Sequence, residues 1–595
     1  MSSPRRLALP TLASLLGLAG LVALAASCEP KGPEPVAPGK RVPPLRAIGA
    51  EVGRASSPAD AGSDAAPLPK GKVTVGIVVD QLAAWVAEER LPKLPKTGGF
   101  ARLAREGIYV ERMEYAHAVT DTAPGHAALY TGRPPRETGI FGNEVFEGDK
   151  RVSILRDAAS RVVSSKGPLE RPGSSPKALT SPTLSEAWLA ANPTGRLLSV
   201  SWKDRGAILP AGHVRERATV VWFDMAEDAW VTSTAFADVL PSFVTAETEA
   251  HPASSFRAKP WLPLDATWVA AHARVADDGP GEGDLEGLGK VFPHTATSAK
   301  AMRATPFADE LVVSLANAGI AALTADGSPL FLELSLSGND YVGHVFGPDS
   351  HEAWDELLRL DGLLAAFFRG LDARFGEAGW SAVLSADHGT MHTPEVLASR
   401  AKTCEMQGWD ERPCTGTRIL PDDLGKKLAK VEPSVVGICD PWVFFRPEVR
   451  ADATKRKAAE KKVIEALKKE PGVLAAYGAT ALAERCAEAR PSDLLGRVCA
   501  SYVPSGGDVY VVTKPGGFFD PLVVVGAGVS HGSPYAYDRT VPLFVRAPAL
   551  VKGGRTSSSP LPFTAFREAL EMASGLGGAP PWSASASASG AASAR

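Results

Sequence analysis

Five stretches of the chain are predominantly apolar with no sustained polar alternation: Val73–Val79, Leu197–Val200, Ala218–Phe223, Leu330–Leu336 and Ala382–Leu384. Such runs predict strands buried on both faces. Between them, apolar residues recur at three- and four-residue spacing, which predicts helices over Phe100–Arg105, Leu184–Ala191, Ala308–Ala318, His351–Phe368 and Thr454–Lys469. A further short strand is predicted over Leu522–Val525. Strands alternating with helices define an α/β protein with a mostly parallel central sheet covered by helices on both faces. In such sheets ligands bind beyond the carboxyl ends of the strands, so polar residues that directly follow an apolar run are the ones to inspect.

The ends of the chain depart from this pattern. Arg5 and Arg6 precede an apolar stretch from Leu7 to Ala26, followed by Ser27 and Cys28. That is the form of an export signal. The sequence Leu-Ala-Ala-Ser-Cys resembles a bacterial lipoprotein signal, with Cys28 acylated as a lipid anchor to the membrane. Ala25 stands where such signals usually carry Leu, so soluble export after ordinary cleavage is the alternative. Pro10 and the polar residues after Cys28 argue against a retained membrane-spanning helix. Residues 29–70 are rich in Pro, Ala and Gly and predict a solvated tether. Residues 71–550 form the expected catalytic domain, with insertions at about 195–300 and 400–515, and residues 551–595 a C-terminal segment ending in a disordered Ala/Ser tail.

Composition narrows the functional class. With 595 residues, 45% of them hydrophobic, the chain can bury a large core, and its formal net charge of -3 carries no nucleic-acid-binding signal. Of the cysteines after Cys28, Cys404 with Cys414 and Cys486 with Cys499 are the sequence-local pairs, which would leave Cys439 free; spacing alone does not decide connectivity. No Cys-x-x-Cys is present, which disfavours a zinc ribbon.

The chemistry lies at the strand ends. Asp80 closes Val-Gly-Ile-Val-Val-Asp; alone, it would more often be a helix N-cap. Asp387 and His388 follow Ala382-Val-Leu-Ser-Ala, and Gly389 eases the departure from strand geometry that joint use of both side chains requires. Asp340 and His344 follow the Leu330–Leu336 strand at a spacing that places both on one face of a helical turn, although Gly343 weakens that helix. His531 lies in a glycine-rich loop after the Leu522–Val525 strand. Three aspartates and three histidines without thiolate suit catalytic zinc, with manganese or iron also compatible by ligand type. In Thr120-Asp-Thr-Ala-Pro-Gly-His-Ala, Pro124 marks a first helical turn, so Thr122 sits where free amides favour phosphate. Its hydroxyl needs activation to act as a nucleophile.

The motifs Val-Val-Asp80-Gln, Thr122-Ala-Pro-Gly-His-Ala, Gly-Asn143-Glu, Lys203-Asp-Arg205-Gly, Asp340-Tyr-Val-Gly-His344, Ala-Asp387-His388-Gly and Ser-His531-Gly-Ser-Pro-Tyr resemble, in this order, the alkaline phosphatase superfamily. The specific branch is the type I phosphodiesterase/nucleotide pyrophosphatases and their threonine-nucleophile bacterial alkaline phosphatases. The resemblance implies an alkaline-phosphatase-like fold and two Zn2+ ions, one held by Asp80, Asp387, His388 and Thr122 and the other by Asp340, His344 and His531. It further implies that Asn143, Lys203 and Arg205 bind the phosphoryl oxygens, and that Lys203 and Arg205 mark a phosphomonoesterase acting on small-molecule phosphate esters through a phosphothreonine intermediate. The alternatives are a phosphodiesterase using the same groups and, more remotely, a noncatalytic surface lipoprotein. No catalytic role is expected for Asp121 or His392, and His126 and His351 are expected to be structural.

Overall fold

A computed structural model describes residues 73–400, 416–578 and 580–583. The signal, the tether, the Cys404–Cys414 pair and the Ala/Ser tail fall outside the described residues. At the centre, five parallel strands stand side by side in the order Trp380–Ser385, Val73–Val79, Leu330–Leu336, Arg196–Ser201 and Ala218–Asp224. Antiparallel strands extend the sheet on both sides: Thr540–Arg546 pairs with Trp380–Ser385, and Ala229–Ser233 pairs with Ala218–Asp224. Every residue of Val73–Val79 and Leu330–Leu336 is buried, as runs without alternation require of inner strands.

The predicted helices form with shifted ends, for example Gly99–Glu106, Phe307–Leu323, His351–Phe375 and Ala453–Leu467. The Leu522–Val525 strand does not form. Asp520 accepts hydrogen bonds from the backbone of Leu522 and Gly526, both at 2.8 Å, Leu522 adopts a left-handed φ of 58°, and Val525 is exposed. The aspartate bends this apolar segment into a turn before it can pair.

The boundaries of the insertions also differ from those expected. Residues 196–201 and 218–224 are inner strands, so the first excursion from the sheet starts only after Ser233. The later insertion builds its own four-stranded antiparallel sheet from Val435–Cys439, Trp442–Phe445, Val509–Thr513 and Val473–Gly478, with a separate core around Val443, Val463, Leu467 and Val511. Cys486 and Cys499 form a disulfide there, and Cys439 is free and buried. Beyond residue 550 the chain continues in the main fold: Arg555–Ser557 pairs with Ile108–Glu114, and the helix Thr564–Ala573 buries Phe566 and Leu570 in the main core.

One core residue carries a pH consequence. Glu333 lies in the middle of the Leu330–Leu336 strand, accepts a hydrogen bond from Ser185 Oγ (3.0 Å), and has its carboxyl pushed up to about 8 by burial. The folded state therefore keeps this group neutral while the unfolded chain ionises it. Its contribution is complete below about pH 4.5 and is lost as pH rises toward 8. Glu333→Gln is expected to raise Tm relative to the parent at pH 9, by an amount equivalent to on the order of 5 kcal/mol at most, with the gain vanishing toward pH 4.5. A Tm difference that does not change with pH would contradict this.

Candidate active site

The carboxyl edge of the parallel strands gathers the chemistry. Asp80 follows its strand directly, Asp387 and His388 leave the Trp380–Ser385 strand at the adjacent position, and Asp340 and His344 lie on the helix Gly338–Phe346 that follows Leu330–Leu336. All five are buried. That helix forms despite Gly343; a Cβ there would stand 2.1 Å from Gln81 Oε1, so any larger residue would push the Gln81 side chain away. Asp309 accepts from the backbone of Ser337 (2.8 Å) and Gly338 (3.1 Å), anchoring the first turn of the helix.

Thr122 opens the helix Thr122–Thr131, with Asp121 as its N-cap and Pro124 in the first turn. The Asp121 carboxylate accepts from Thr122 N (3.0 Å) and from the Asn143 side-chain amide, while Asn143 Oδ1 accepts from Ala123 N (2.8 Å). These bonds lock the turn of Thr122 to Asn143. Gly125 lets the helix approach the Asp387–His388 turn, since a Cβ there would lie 2.2 Å from Asp387 O. His126 contacts Ser335 Oγ (2.9 Å), Thr122 O (3.0 Å) and Asp387 Oδ2 (3.1 Å), a tethering role. His351 instead lies near Asp277, at 3.8 Å.

The donor chemistry fits divalent cations. The Nδ1 atoms of His344, His388 and His531 face the backbone carbonyls of Val529 (2.8 Å), Gly389 (3.1 Å) and Thr120 (3.0 Å). Nδ1–H donation to these carbonyls leaves each Nε2 lone pair pointing at the carboxylates, the arrangement that prepares imidazole for a metal. The Nε2 atoms lie 3.1 Å (His344) and 3.5 Å (His531) from Asp340 Oδ1, and 3.3 Å (His388) from Asp80 Oδ1. Asp80 Oδ1, Asp387 Oδ2 and His388 Nε2 are buried and meet only each other and His126 (3.1 Å from Asp387 Oδ2), so two carboxylates and an imidazole share one pocket that a divalent cation would suit.

Two sets of ligand atoms lie within 4.8 Å of one another: Asp80 with Asp387 and His388, and Asp340 with His388 and His531. The first matches the expected protein ligands. The second holds His388 beside Asp340 and His531, and His344 Nε2 also lies 3.1 Å from Asp340 Oδ1.

Lys203 ties the two sets together. Its ammonium donates to Asp80 Oδ2 (2.6 Å), Asp340 Oδ2 (2.5 Å) and Thr122 Oγ1 (3.3 Å). Burial works against its charge, but Asp340 and Asp80 outweigh it and hold Lys203 above the usual lysine range. Burial likewise opposes the charge of Asp340, and His344 and Lys203 hold that carboxyl well below the usual carboxylate range. Arg205 enters from the first turn of the helix Asp204–Ala211, and its buried Nε has no hydrogen-bond partner. Burial opposes its charge too, yet Tyr341, Asp204, Asp121 and Asp80 keep it raised. The site thus presents a hydroxyl beside a fixed ammonium, with a second cation nearby.

Sequence reasoning missed two positioning groups. Gln81 donates from its backbone to Asp387 Oδ1 (3.2 Å) and from its side chain to Asp340 Oδ1 (2.7 Å), bridging the two ligand sets. Its place in Val-Val-Asp80-Gln was the available signal. Asp121, for which no catalytic role was expected, orients both Thr122 and Asn143 and lies 3.6 Å from His531 Nδ1.

The fold and this site define a phosphatase, and the chain belongs to the type I phosphodiesterase / nucleotide pyrophosphatase family, whose model matches residues 74–519. It is 30% identical over 500 residues to alkaline phosphatase PafA of Elizabethkingia meningoseptica, covering 80% of this chain and 87% of that one. It is equally 30% identical, over 489 residues, to alkaline phosphatase PhoV of Synechococcus elongatus, covering 79% and 84%. The crystal structure of wild-type PafA superposes with a TM-score of 0.71 at 27% identity, covering 85% of this chain and 96% of that one. The chain is a phosphate-ester-hydrolysing enzyme with a site suited to divalent metals.

Proposed function

We propose that the enzyme hydrolyses phosphate monoesters through a phosphothreonine at Thr122, using two zinc ions, after export from the cytoplasm. The observation that carries the reading is Lys203, whose ammonium reaches Thr122 Oγ1 and one aspartate of each ligand set. Two zinc ions, held by Asp80, Asp387, His388 and Thr122 and by Asp340, His344 and His531, would supply Lewis-acid activation of the hydroxyl and charge neutralisation at the departing oxygen.

The chain's own residues do the rest. Thr122 Oγ1 gives up its proton and bonds to phosphorus as the ester oxygen leaves and is protonated to an alcohol. Water then cleaves the phosphothreonine, releasing inorganic phosphate and restoring the hydroxyl. Lys203 and Arg205 provide two fixed cations for the nonbridging oxygens, and a monoester presents more anionic charge there than a diester. Asn143 can offer an amide to the same oxygens if substrate displaces its bond to Asp121. For location, the Arg5-Arg6 start, the apolar stretch and Cys28 support export with a lipid anchor. Among the described residues no helix is long and apolar enough to cross a membrane.

The test is hydrolysis of p-nitrophenyl phosphate beside bis(p-nitrophenyl) phosphate by protein lacking residues 1–28. A strong monoester preference that disappears on chelation and returns with zinc is expected. A diester preference would make the enzyme a phosphodiesterase with the same nucleophile, and activity that survives full chelation would remove the metals from the scheme.

A further inference from the structure

Lys203 shares an aromatic neighbour with a cation that the proposed mechanism does not use. Tyr341 follows Asp340 on the helix Gly338–Phe346 and is 8% exposed. The Lys203 ammonium lies 4.8 Å from the centroid of its ring. The Arg303 guanidinium, entering from the C-cap of the short helix Ala299–Met302, lies 4.4 Å from the same centroid. One tyrosine ring therefore fixes how far apart these two cations stand. Arg205 lies within electrostatic reach of the same side chain.

The two cations on the ring differ in what balances them. Lys203 is held between Asp80 Oδ2 and Asp340 Oδ2. The Arg303 side chain makes no hydrogen bond and no ion pair among the described residues, and its Nε is buried without a partner. Glu286, the acid within electrostatic reach of Arg303, is instead engaged by Ser298 Oγ and by Lys300 Nζ (3.1 Å). Stacking on Tyr341 orients the guanidinium but uses none of its N–H donors. Arg303 is only half-buried, so those donors can meet a solute. Their planar fork matches a carboxylate or a phosphate.

We infer that Arg303 is a second anion subsite, binding an oxyanion carried on the leaving group while Lys203 and Arg205 hold the phosphoryl group to be transferred. The inference rests on the monoester reading above, which places the transferred group at Lys203. The favoured substrates are monoesters with a carboxylate or second phosphate a few atoms from the ester oxygen, in preference to monoesters of uncharged alcohols. Arg303 would act mainly on substrate affinity, because the far anion is present before and during the reaction alike.

The test is calorimetric titration of zinc-loaded Thr122→Ala protein lacking residues 1–28, in which turnover is suppressed. The ligands are propyl phosphate, 3-phosphonooxypropanoate and 1,3-propanediol bisphosphate, which share a three-carbon chain and differ at the end remote from the ester. The two with a second oxyanion are expected to bind about tenfold tighter or more than propyl phosphate, the scale of a charge-assisted hydrogen bond. Adding Arg303→Ala should abolish that preference and leave propyl phosphate affinity unchanged. Arg303→Lys, which keeps the charge but not the fork, should retain part of it. Should Arg303→Ala not fold, Arg303→Gln removes the charge at closer shape and takes its place. No preference before Arg303 is changed, or a preference that survives Arg303→Ala, would overturn the subsite. Equal losses for all three ligands would also overturn it and leave Arg303 as a support for Tyr341. Because binding is read without turnover, failure here is distinct from failure of the monoester reading, which p-nitrophenyl phosphate hydrolysis reports.

Discussion

Thr122→Ala is expected to lower monoester turnover by about 10³-fold or more, because it removes the group that forms the covalent intermediate. The fold should survive, since the cap of the Thr122–Thr131 helix is the Asp121 side chain and its acceptance of the residue 122 backbone N–H does not need the hydroxyl. The ligand aspartates and histidines also remain, so bound metal and phosphate affinity should persist. Acid quenching during turnover of labelled substrate should trap phosphothreonine in the parent protein and none in the variant. Label trapped in Thr122→Ala would move the nucleophile elsewhere.

Loss of Arg205 should discriminate between substrates. Arg205→Ala is expected to reduce kcat/KM for a monoester by about 10²–10³-fold, the range seen when one preorganised transition-state donor is lost, and to affect a diester much less. Arg205 suits this comparison better than Lys203, which also bonds to Asp80 and Asp340. Lys203→Ala would leave those buried carboxylates without their ammonium, so its effect would mix lost phosphoryl binding with altered metal affinity. Equal losses on both substrates for Arg205→Ala would remove the electrostatic account of monoester preference.

The site was legible where chemistry coincides with a strand end. Asp80, Asp340, Asp387 and His388 each follow an apolar run, and a parallel sheet brings all such positions to one edge whatever the loops do. Thr122 was legible from Pro124 and the helix it begins. Gln81 and Asp121 were not, because their roles consist of bonds made after folding: Gln81 joins Asp387 and Asp340, more than 250 residues away in the chain. The Leu522–Val525 segment misled for a related reason. Its apolar composition favours a strand, but Asp520 satisfies the local backbone first and leaves Val525 exposed. The extent of the main fold after residue 550 was also hidden, since the short strand Arg555–Ser557 has little pattern of its own and gains its place by pairing with Ile108–Glu114.

By itself the sequence determined the α/β class, the parallel core strands and the identities of the residues at their carboxyl ends, because burial of uninterrupted apolar runs and the direction of parallel strands are set by local pattern. Only the tertiary structure decided how those residues combine. The position of Lys203 between Asp80, Asp340 and Thr122 and the stacking of His388 on His531 depend on distances between segments far apart in the chain, which no local periodicity encodes.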